Sequence, residues 1–95
     1  MKFISLTPST RQTKKYMIKL QTDDNKIKTI HFGSIHSKTY LDHHDKKKRL
    51  NYLERHMVNE DWDNINAGSL SAFILWGPTT NLNENLKLYL KRFNI

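Results

Sequence analysis

Cysteine is absent from this sequence, and proline and glycine are scarce, with two and three residues. Without cysteine the chain cannot form disulfide scaffolds, thiol nucleophiles or cysteine-ligated zinc and iron–sulfur sites. The three glycines are isolated, so no glycine-rich phosphate-binding loop is present, and neither G-x-S-x-G nor H-E-x-x-H occurs. The sequence therefore predicts a protein with no enzymatic activity and no cofactor.

Long apolar runs are also missing. The longest is Ala72–Trp76, far short of the roughly 20 residues that a membrane-spanning helix requires. The first residues, Met1–Leu6, carry one charge and a short apolar patch, too little for a secretory signal. Hydrophobic residues make up 37% of the 95 residues, enough for one small core. We expect a soluble intracellular protein with a single domain over residues 1–95 and no membrane partner.

Acidic residues are fewer than basic residues. The chain has 16 Lys and Arg against 9 Asp and Glu, a net charge of +7. Residues 1–40 contain eight of the cations and only two of the acids, whereas residues 41–63 are nearly balanced, with five cations and six acids. A positive excess concentrated in one part of a small protein favours a polyanionic partner.

Strand-forming sequence dominates the first third of the chain. Two runs rich in β-branched and aromatic residues, Tyr16–Leu20 and Ile27–Phe32, flank a turn-forming Asp23-Asp24-Asn25. This pattern predicts a β-hairpin with one buried face and one face that carries the lysines. Phe3–Leu6 is a candidate third strand. Two strands alone are marginally stable, so either this strand or a helix must cover the hairpin.

Helical patterns follow in the rest of the chain. Asp42 or Asp45 is predicted to cap a first helix that ends near Val58. Its apolar stripe would consist of Leu50, Leu53 and Met57. This helix is therefore expected to face the core through these three residues.

Two further helices are predicted. The first spans Ser69–Trp76, with Ser69 as its N-cap and Gly77-Pro78 ending it, and it is apolar enough to lie at the centre of the core. The last begins after Asn81, and its apolar stripe comprises Leu82, Leu86, Tyr89, Leu90 and Phe93. The predicted fold is a small α+β domain, β-rich over residues 1–33 and helical over residues 42–95, in which the hairpin packs on three helices.

Five histidines raise the question of a metal site. His43 and His44 lie between Asp42 and Asp45, and imidazole and carboxylate both bind zinc. However, His44 and His56 are twelve residues apart, whereas ligands on one helix should be three or four apart. We predict no metal site.

Two of the remaining polar residues are predicted to be structural. Arg55 and His56 are expected to be partly buried and to tie the first helix to the segment Glu60-Asp61-Trp62. For Trp62 and Trp76 core packing is favoured over base stacking, because Trp76 lies in an apolar run and Trp62 follows two acids.

The lysines of the hairpin are the predicted nucleic-acid-binding residues. They have few acidic neighbours in sequence and could follow a phosphate backbone without reading bases. This set consists of Lys14, Lys15, Lys19, Lys26 and Lys28. Lys46 and Lys47 form a second basic region, although nearby acids weaken it. The alternative is that these lysines serve only solubility.

From Phe32 onward, the chain resembles a family of short, uncharacterised proteins of nucleocytoplasmic large DNA viruses. The resemblance covers residues 32–93 and rests on the order and spacing of eight short motifs. These are Phe32-Gly33, His43-His44-Asp45, Lys48-Arg49, Tyr52-Leu53-Glu54-Arg55-His56, Glu60-Asp61-Trp62, Ala67-Gly68, Leu75-Trp76 and Lys91-Arg92-Phe93.

Two features depart from that family's pattern. This chain has His36 where the family has a second glycine soon after Phe-Gly. Its apolar helix has Ser69–Phe73 where the family has aromatic and Arg residues. The resemblance implies a viral origin and a compact α+β fold, and it implies no particular activity.

Together these observations predict a non-enzymatic viral accessory or virion protein, located in the virion or inside the infected cell. Its predicted function is non-specific binding of DNA or RNA through phosphate contacts. The alternative is a minor capsid or core protein whose partners are other viral structural proteins. A continuous basic face would favour the first function, and an exposed apolar patch would favour the second. The oligomeric state does not follow from the sequence.

Overall fold

A computed structural model describes residues 1–95 and contains a three-stranded antiparallel sheet with helices against one face. The strands are β1 (Lys2–Pro8), β2 (Lys14–Gln21) and β3 (Ile27–Ser34), in the order β1-β2-β3. The predicted α+β fold is confirmed, and so is the third strand ahead of the hairpin.

Strand register places the apolar residues of the sheet on the face toward the helices. Tyr16 pairs with Phe32, and Ile18 pairs with Ile30. Ile18, Leu20 and Phe32 are fully buried, as expected for alternate residues on one side of a strand.

The expectation that the opposite face carries all the lysines is wrong. Lys19 lies opposite Thr29, whereas Lys28 lies opposite Leu20. Residues opposite each other share a face, so Lys28 projects from the same side as Leu20 and away from Lys19.

Gly33 lets the end of β3 approach the helical layer closely. Its φ of +79° lies in a region that side chains disfavour. A Cβ at this position would also lie 2.7 Å from Leu75 Cδ1. The Phe32-Gly33 pair therefore joins a buried aromatic ring to a bend that only glycine accommodates well.

Four helices follow the sheet. They are α1 (Tyr40–His43), α2 (Lys46–Met57), α3 (Ala67–Leu70), which continues into a π-helical turn over Ser71–Leu75, and α4 (Leu82–Arg92). No helix is both long enough and apolar enough to cross a membrane.

The helix caps partly follow the sequence prediction. The Asp45 carboxylate accepts hydrogen bonds from the backbone N–H groups of Lys47 and Lys48, at 3.0 and 3.2 Å, and therefore caps α2. Asp42 lies instead in the four-residue helix α1, whose N-cap is Thr39.

The other two caps also involve short polar side chains. Ser69 is not the N-cap of α3, because Asn66 accepts the hydrogen bond from the Ser69 N–H at 2.8 Å. The helix therefore begins two residues earlier than predicted. Asn81 caps α4 by accepting from the Glu84 N–H at 2.9 Å, as predicted.

The core lies between the sheet and the segment Leu70–Trp76, which was predicted to be central. Ile74 and Leu75 are buried, and Trp76 is 9% exposed. Tyr89 of α4 completes this core from the other side and is 1% exposed. Its hydroxyl lies 2.8 Å from the Ser69 hydroxyl, so the buried phenol has a hydrogen-bond partner.

Helix α2 does not use the predicted apolar stripe. Leu50 and Met57 are 55% and 62% exposed, and of the three predicted residues only Leu53 contacts the core. Instead, Tyr52 is the residue of α2 that packs against Trp76.

Arg49 also fixes the orientation of α2. Its Nε donates to the carbonyl oxygens of Trp76 and Gly77, at 3.0 and 2.8 Å. Carbonyls at the end of a helical segment lack partners, and Arg49 supplies one.

Candidate functional site

A column of stacked rings forms where α2 meets the end of the π-helical turn. The Tyr52 ring lies parallel to Trp76, with 4.2 Å between centroids and 4° between planes. His56 stacks on the other face of Tyr52 at 4.0 Å, and His43 lies against Trp76 at 5.2 Å with a tilt of 57°. Tyr52 and His56 share a face because they are four residues apart on α2.

Glu60 connects this column to Trp62. One of its carboxylate oxygens lies 2.8 Å from His56 Nδ1, and the other accepts a hydrogen bond from Trp62 Nε1 at 2.9 Å. His56 thus makes the predicted link to the segment after α2. Arg55 does not, because it is exposed and its Nε reaches only the Asn51 carbonyl, at 3.4 Å.

Gly68 provides the space that Glu60 occupies. A Cβ on Gly68 would lie 3.2 Å from Glu60 Oε1, a tight contact with a side chain that already has two partners. The motif residues Tyr52, His56, Trp62, Gly68 and Trp76 therefore lie in one contiguous structural unit.

Two adjoining cavities open above the ring column. The first has a volume of about 720 Å³ and the second about 490 Å³, and Lys38, Arg55 and Trp76 line both. Lys48 lines only the first, and Lys14 only the second. We call this continuous depression, with Lys14, Lys38, Lys48 and Arg55 on its walls, the basic groove.

The four cations of the basic groove have no ion-pair partners. No carboxylate oxygen lies within 4.0 Å of their charged nitrogens, whereas Lys15 and Lys26 are both paired. Two acids also line the groove, and one of them, Glu60, is engaged by His56 and Trp62. Glu54 is the second. The groove therefore presents more positive than negative charge to a ligand.

The turn between β1 and β2 also carries positive charge, at Arg11. His31 Nδ1 lies 2.7 Å from the Ser9 hydroxyl. Desolvation lowers the pKa of His31, and the charges of Arg11 and Lys14 lower it further. His31 is therefore within reach of the positive charges of Arg11 and Lys14.

The hydroxyl of Tyr52, in the floor of the groove, has a raised pKa. Burial raises the pKa of Tyr52 to about 12, and the nearby Glu60 charge adds to the increase. Burial likewise raises the pKa of Tyr89 to about 12. Both hydroxyls stay protonated in the folded protein at pH values where an exposed tyrosine ionises.

Because of these two tyrosines, the free energy of unfolding changes with pH in the alkaline range. The unfolded chain loses their protons near pH 10, before the folded chain does, so the free energy of unfolding falls as the pH rises toward about 12. We expect the urea midpoint to be lower at about pH 11.5 than at about pH 9. The Tyr52→Phe variant should show a smaller decrease, and a midpoint of the wild type that does not change would contradict this prediction.

The structure does not bring the predicted lysines together. Lys15 pairs with Asp42 at 3.5 Å, and Lys26 pairs with Asp24 at 3.7 Å. Lys19 and Lys28 lie on opposite faces of the sheet.

The second basic region is separate as well. Lys46 and Lys47 are exposed at the start of α2 and do not line the groove. Of the seven predicted lysines, Lys14 alone contributes to it.

Sequence reasoning missed Lys38, considered Lys48 only as part of the weaker basic run Lys46–Arg49, and predicted a structural role for Arg55. Lys48 and Arg55 are seven residues apart, a spacing that places both on one side of a helix, so this pair was detectable. Lys38 lies before α1, and only tertiary structure brings it to the groove.

The histidines do not converge with acids. No group of three His, Asp or Glu side chains is placed to hold a metal ion. His43 has a local role instead, since its Nδ1 accepts a hydrogen bond from the Asp45 N–H at 3.0 Å.

Comparison with known proteins gives one match. The model of a family described as a family of unknown function (DUF5754) matches residues 4–56. This segment includes most of β1, all of β2, β3 and α1, and most of α2, and it contains all four cations of the basic groove. No curated protein and no solved structure matches the chain.

Proposed function

We propose that this chain, which belongs to the family of unknown function DUF5754, binds nucleic acid through phosphate contacts along the basic groove. The observation that carries the proposal is the set of four cations without carboxylate partners around one open depression. Unpaired cations are available to displace counterions from a phosphate backbone, which is the main source of non-specific nucleic-acid affinity.

The shape of the groove favours an extended anion over a small one. Its two cavities share Lys38 and Arg55 but differ in Lys48 and Lys14, so the four cations are distributed over both cavities. A linear polyanion can contact several of them at once, whereas a single phosphate cannot.

The rings in the groove floor support phosphate binding and argue against base stacking. Trp76 and His56 cover the two faces of Tyr52, so neither face is available to a base. Trp76 is itself only 9% exposed. Binding platforms for bases use exposed aromatic faces, which this groove lacks. The proposed binding is therefore insensitive to base sequence.

Salt dependence tests this proposal. With four phosphates neutralised, the logarithm of the binding constant should fall against the logarithm of salt concentration with a slope of about −3.6 for duplex DNA. Fluorescence anisotropy of a labelled duplex, measured from about 50 mM salt upward, gives this slope. Absence of binding at about 50 mM salt and micromolar protein would contradict the proposal.

Matched charge variants locate the binding surface. The variant Lys38→Gln with Arg55→Gln should reduce the slope by about 1.8 and weaken binding at low salt. The control Lys28→Gln with Lys87→Gln removes the same net charge outside the groove and should change the slope by less than about 0.5. Equal effects of the two variants would show that net charge alone governs binding and would overturn the assignment to the groove.

The predicted alternative, a minor capsid or core protein with protein partners, has one observation in its favour. Leu50, Met57 and Val58 form a small exposed apolar surface on and just after α2. The viral origin on which this alternative depends is a prediction from the resemblance described above. A mass-spectrometric inventory of purified virions tests it, because a structural component should be present in stoichiometric amounts and its absence would contradict the role.

A further inference from the structure

A third cavity adjoins the basic groove but contains none of its four cations. Its volume is about 240 Å³. Thr39 and Leu75 line both this cavity and the second cavity of the groove, so they lie between the two. Lys15 lines the third cavity and does not line the groove. We call this third cavity the Lys15 cavity.

Half of the eight residues that line the Lys15 cavity are hydrophobic. Leu75 is 1% exposed and Leu41 packs against the core, so both belong to its inner part. Ile35 is 49% exposed and therefore lies at its rim. Apolar walls with a few polar groups are typical of sites for small molecules. The volume is below the roughly 300 Å³ at which such sites usually begin, so it suits a particularly small ligand.

The wall of the Lys15 cavity also contains a loosely formed ion pair. The Lys15 ammonium lies 3.5 Å from Asp42 Oδ2, farther than the about 2.7–2.9 Å of a charge-assisted hydrogen bond. The Lys15 side chain is only 18% exposed, and no other carboxylate lies within 4.0 Å of its ammonium. Because an ammonium group has several N–H donors, most of its capacity remains free for a ligand.

Asp42 has free capacity as well. Its Oδ2 accepts hydrogen bonds from the N–H and the hydroxyl of Thr39, at 2.7 and 3.1 Å, whereas its Oδ1 has no hydrogen-bond partner. The bond from the Thr39 N–H lowers the pKa of Asp42 below its usual range, and the charge of Lys15 lowers it further. Asp42 is therefore a carboxylate at neutral pH, with one acceptor oxygen unused.

This pair of opposite charges restricts the class of ligand. A simple anion attracted by Lys15 is repelled by Asp42, and a simple cation meets the reverse. A purely apolar ligand would cover two charges without giving either a partner, which is costly. A zwitterion satisfies both charges. In an α-amino acid one carbon atom carries both the carboxylate and the ammonium, so they can reach two protein charges that are 3.5 Å apart. A peptide terminus supplies only one of the two.

We infer that the Lys15 cavity binds a free α-amino acid with an apolar side chain of about the size of leucine. The carboxylate of the ligand pairs with Lys15, and its ammonium pairs with Asp42 Oδ1. Its side chain lies against Leu41 and Leu75. This site is additional to the basic groove and does not depend on nucleic-acid binding.

Binding is expected to be weak. Leucine has few atoms to contact the protein, and Ile35 and Asp42 at the cavity are both exposed, so part of the ligand stays in water. We expect a Kd on the order of 1 mM.

Two-dimensional ¹H–¹⁵N NMR of the labelled protein, titrated with L-leucine to about 20 mM at constant pH and ionic strength, tests the inference. The amides of Lys15, Ile35 and Asp42 should shift along a saturable curve. Leucinamide lacks the carboxylate, 4-methylpentanoate lacks the ammonium, and glycine lacks the side chain. Each should bind at least about 10-fold more weakly than leucine. No saturable shift with leucine, or equal binding of any of the three analogues, would overturn the inference.

Matched variants locate the site. Lys15→Gln and Asp42→Asn should each weaken leucine binding at least about 10-fold. Asparagine keeps an oxygen that can accept from Thr39, so the local fold should persist. The control Lys26→Gln removes the same charge from the other lysine–aspartate pair, outside the cavity, and should leave the Kd unchanged. Equal weakening by the control would also overturn the inference. If Asp42→Asn unfolds, Lys15→Gln and the ligand series with the wild type still decide the matter.

The two binding sites can be tested separately. The variant Lys38→Gln with Arg55→Gln, which removes two cations of the basic groove, should bind leucine like the wild type, because neither residue lines the Lys15 cavity. Loss of leucine binding in this variant would contradict a separate site. Failure of the wild type to bind DNA contradicts only the proposed function of the groove.

Discussion

Replacing Trp76 with alanine should lower the free energy of unfolding by about 3–5 kcal/mol. The Trp76 side chain is 9% exposed and stacks on Tyr52 with parallel rings 4.2 Å apart. Its removal leaves a cavity between the π-helical turn and α2 that the backbone cannot fill, because Arg49 holds the two segments together through carbonyl oxygens.

Urea denaturation followed by far-UV circular dichroism measures this effect. Leu88→Ala serves as the control, because Leu88 is 45% exposed on α4 and its truncation should change the free energy by less than about 0.5 kcal/mol. A loss below about 1 kcal/mol for Trp76→Ala would contradict the placement of Trp76 in the core.

Asn85→Ala should also be strongly destabilising, with a loss of about 2–4 kcal/mol. Asn85 is completely buried. Its amide nitrogen donates to the carbonyl oxygens of Ile74 and Thr79, at 2.9 and 2.8 Å. Its carbonyl oxygen accepts from the N–H and the hydroxyl of Thr79, at 3.1 and 2.7 Å. Alanine would remove these partners from the carbonyl oxygens of Ile74 and Thr79 and from the Thr79 N–H, whereas the Thr79 hydroxyl would keep its hydrogen bonds to the Asn81 backbone.

Two further variants distinguish lost hydrogen bonds from a general effect on α4. Asn83→Ala changes an exposed residue of the same helix and should be nearly neutral. Asn85→Asp keeps the shape of the side chain but replaces the donor with an acceptor that faces two carbonyl oxygens, so it should destabilise as well. A stable Asn85→Asp protein would contradict the hydrogen-bond account.

The sheet could be predicted because its signals are local. Alternating apolar residues in β2 and β3, and the Asp-Asp-Asn turn between them, determine both the strands and the face that is buried. The central helical segment was equally clear from its composition. Its π-helical turn over Ser71–Leu75 was not, since no residue type in that segment distinguishes a π-helix from an α-helix.

The orientation of α2 shows what periodicity alone misses. Leu50, Leu53 and Met57 are the most hydrophobic residues of the helix, yet the burial of Tyr52 against Trp76 determines which side faces the core. An aromatic ring buries more surface than a leucine, and its partner lies more than twenty residues away in sequence. Arg49 reinforces the same orientation through bonds that no local pattern indicates.

The candidate site was predictable only in part, for a similar reason. The charge excess of residues 1–40 directed attention to the N-terminal lysines, but it does not specify which of them are neutralised. Lys15 meets Asp42 from a different element, and Lys38 reaches the groove from a loop. Both contacts depend on the tertiary arrangement of the sheet and α1.

The proposed function places nucleic acid in the basic groove and not on the face of the hairpin. Two-dimensional ¹H–¹⁵N NMR of the labelled protein, titrated with a short DNA duplex at low salt, tests it most directly. We expect the amides of Lys14, Lys38 and Arg55 to shift progressively, together with the indole N–H of Trp76. Shifts confined to Lys19, Lys26 and Lys28, or no shifts at all, would contradict it.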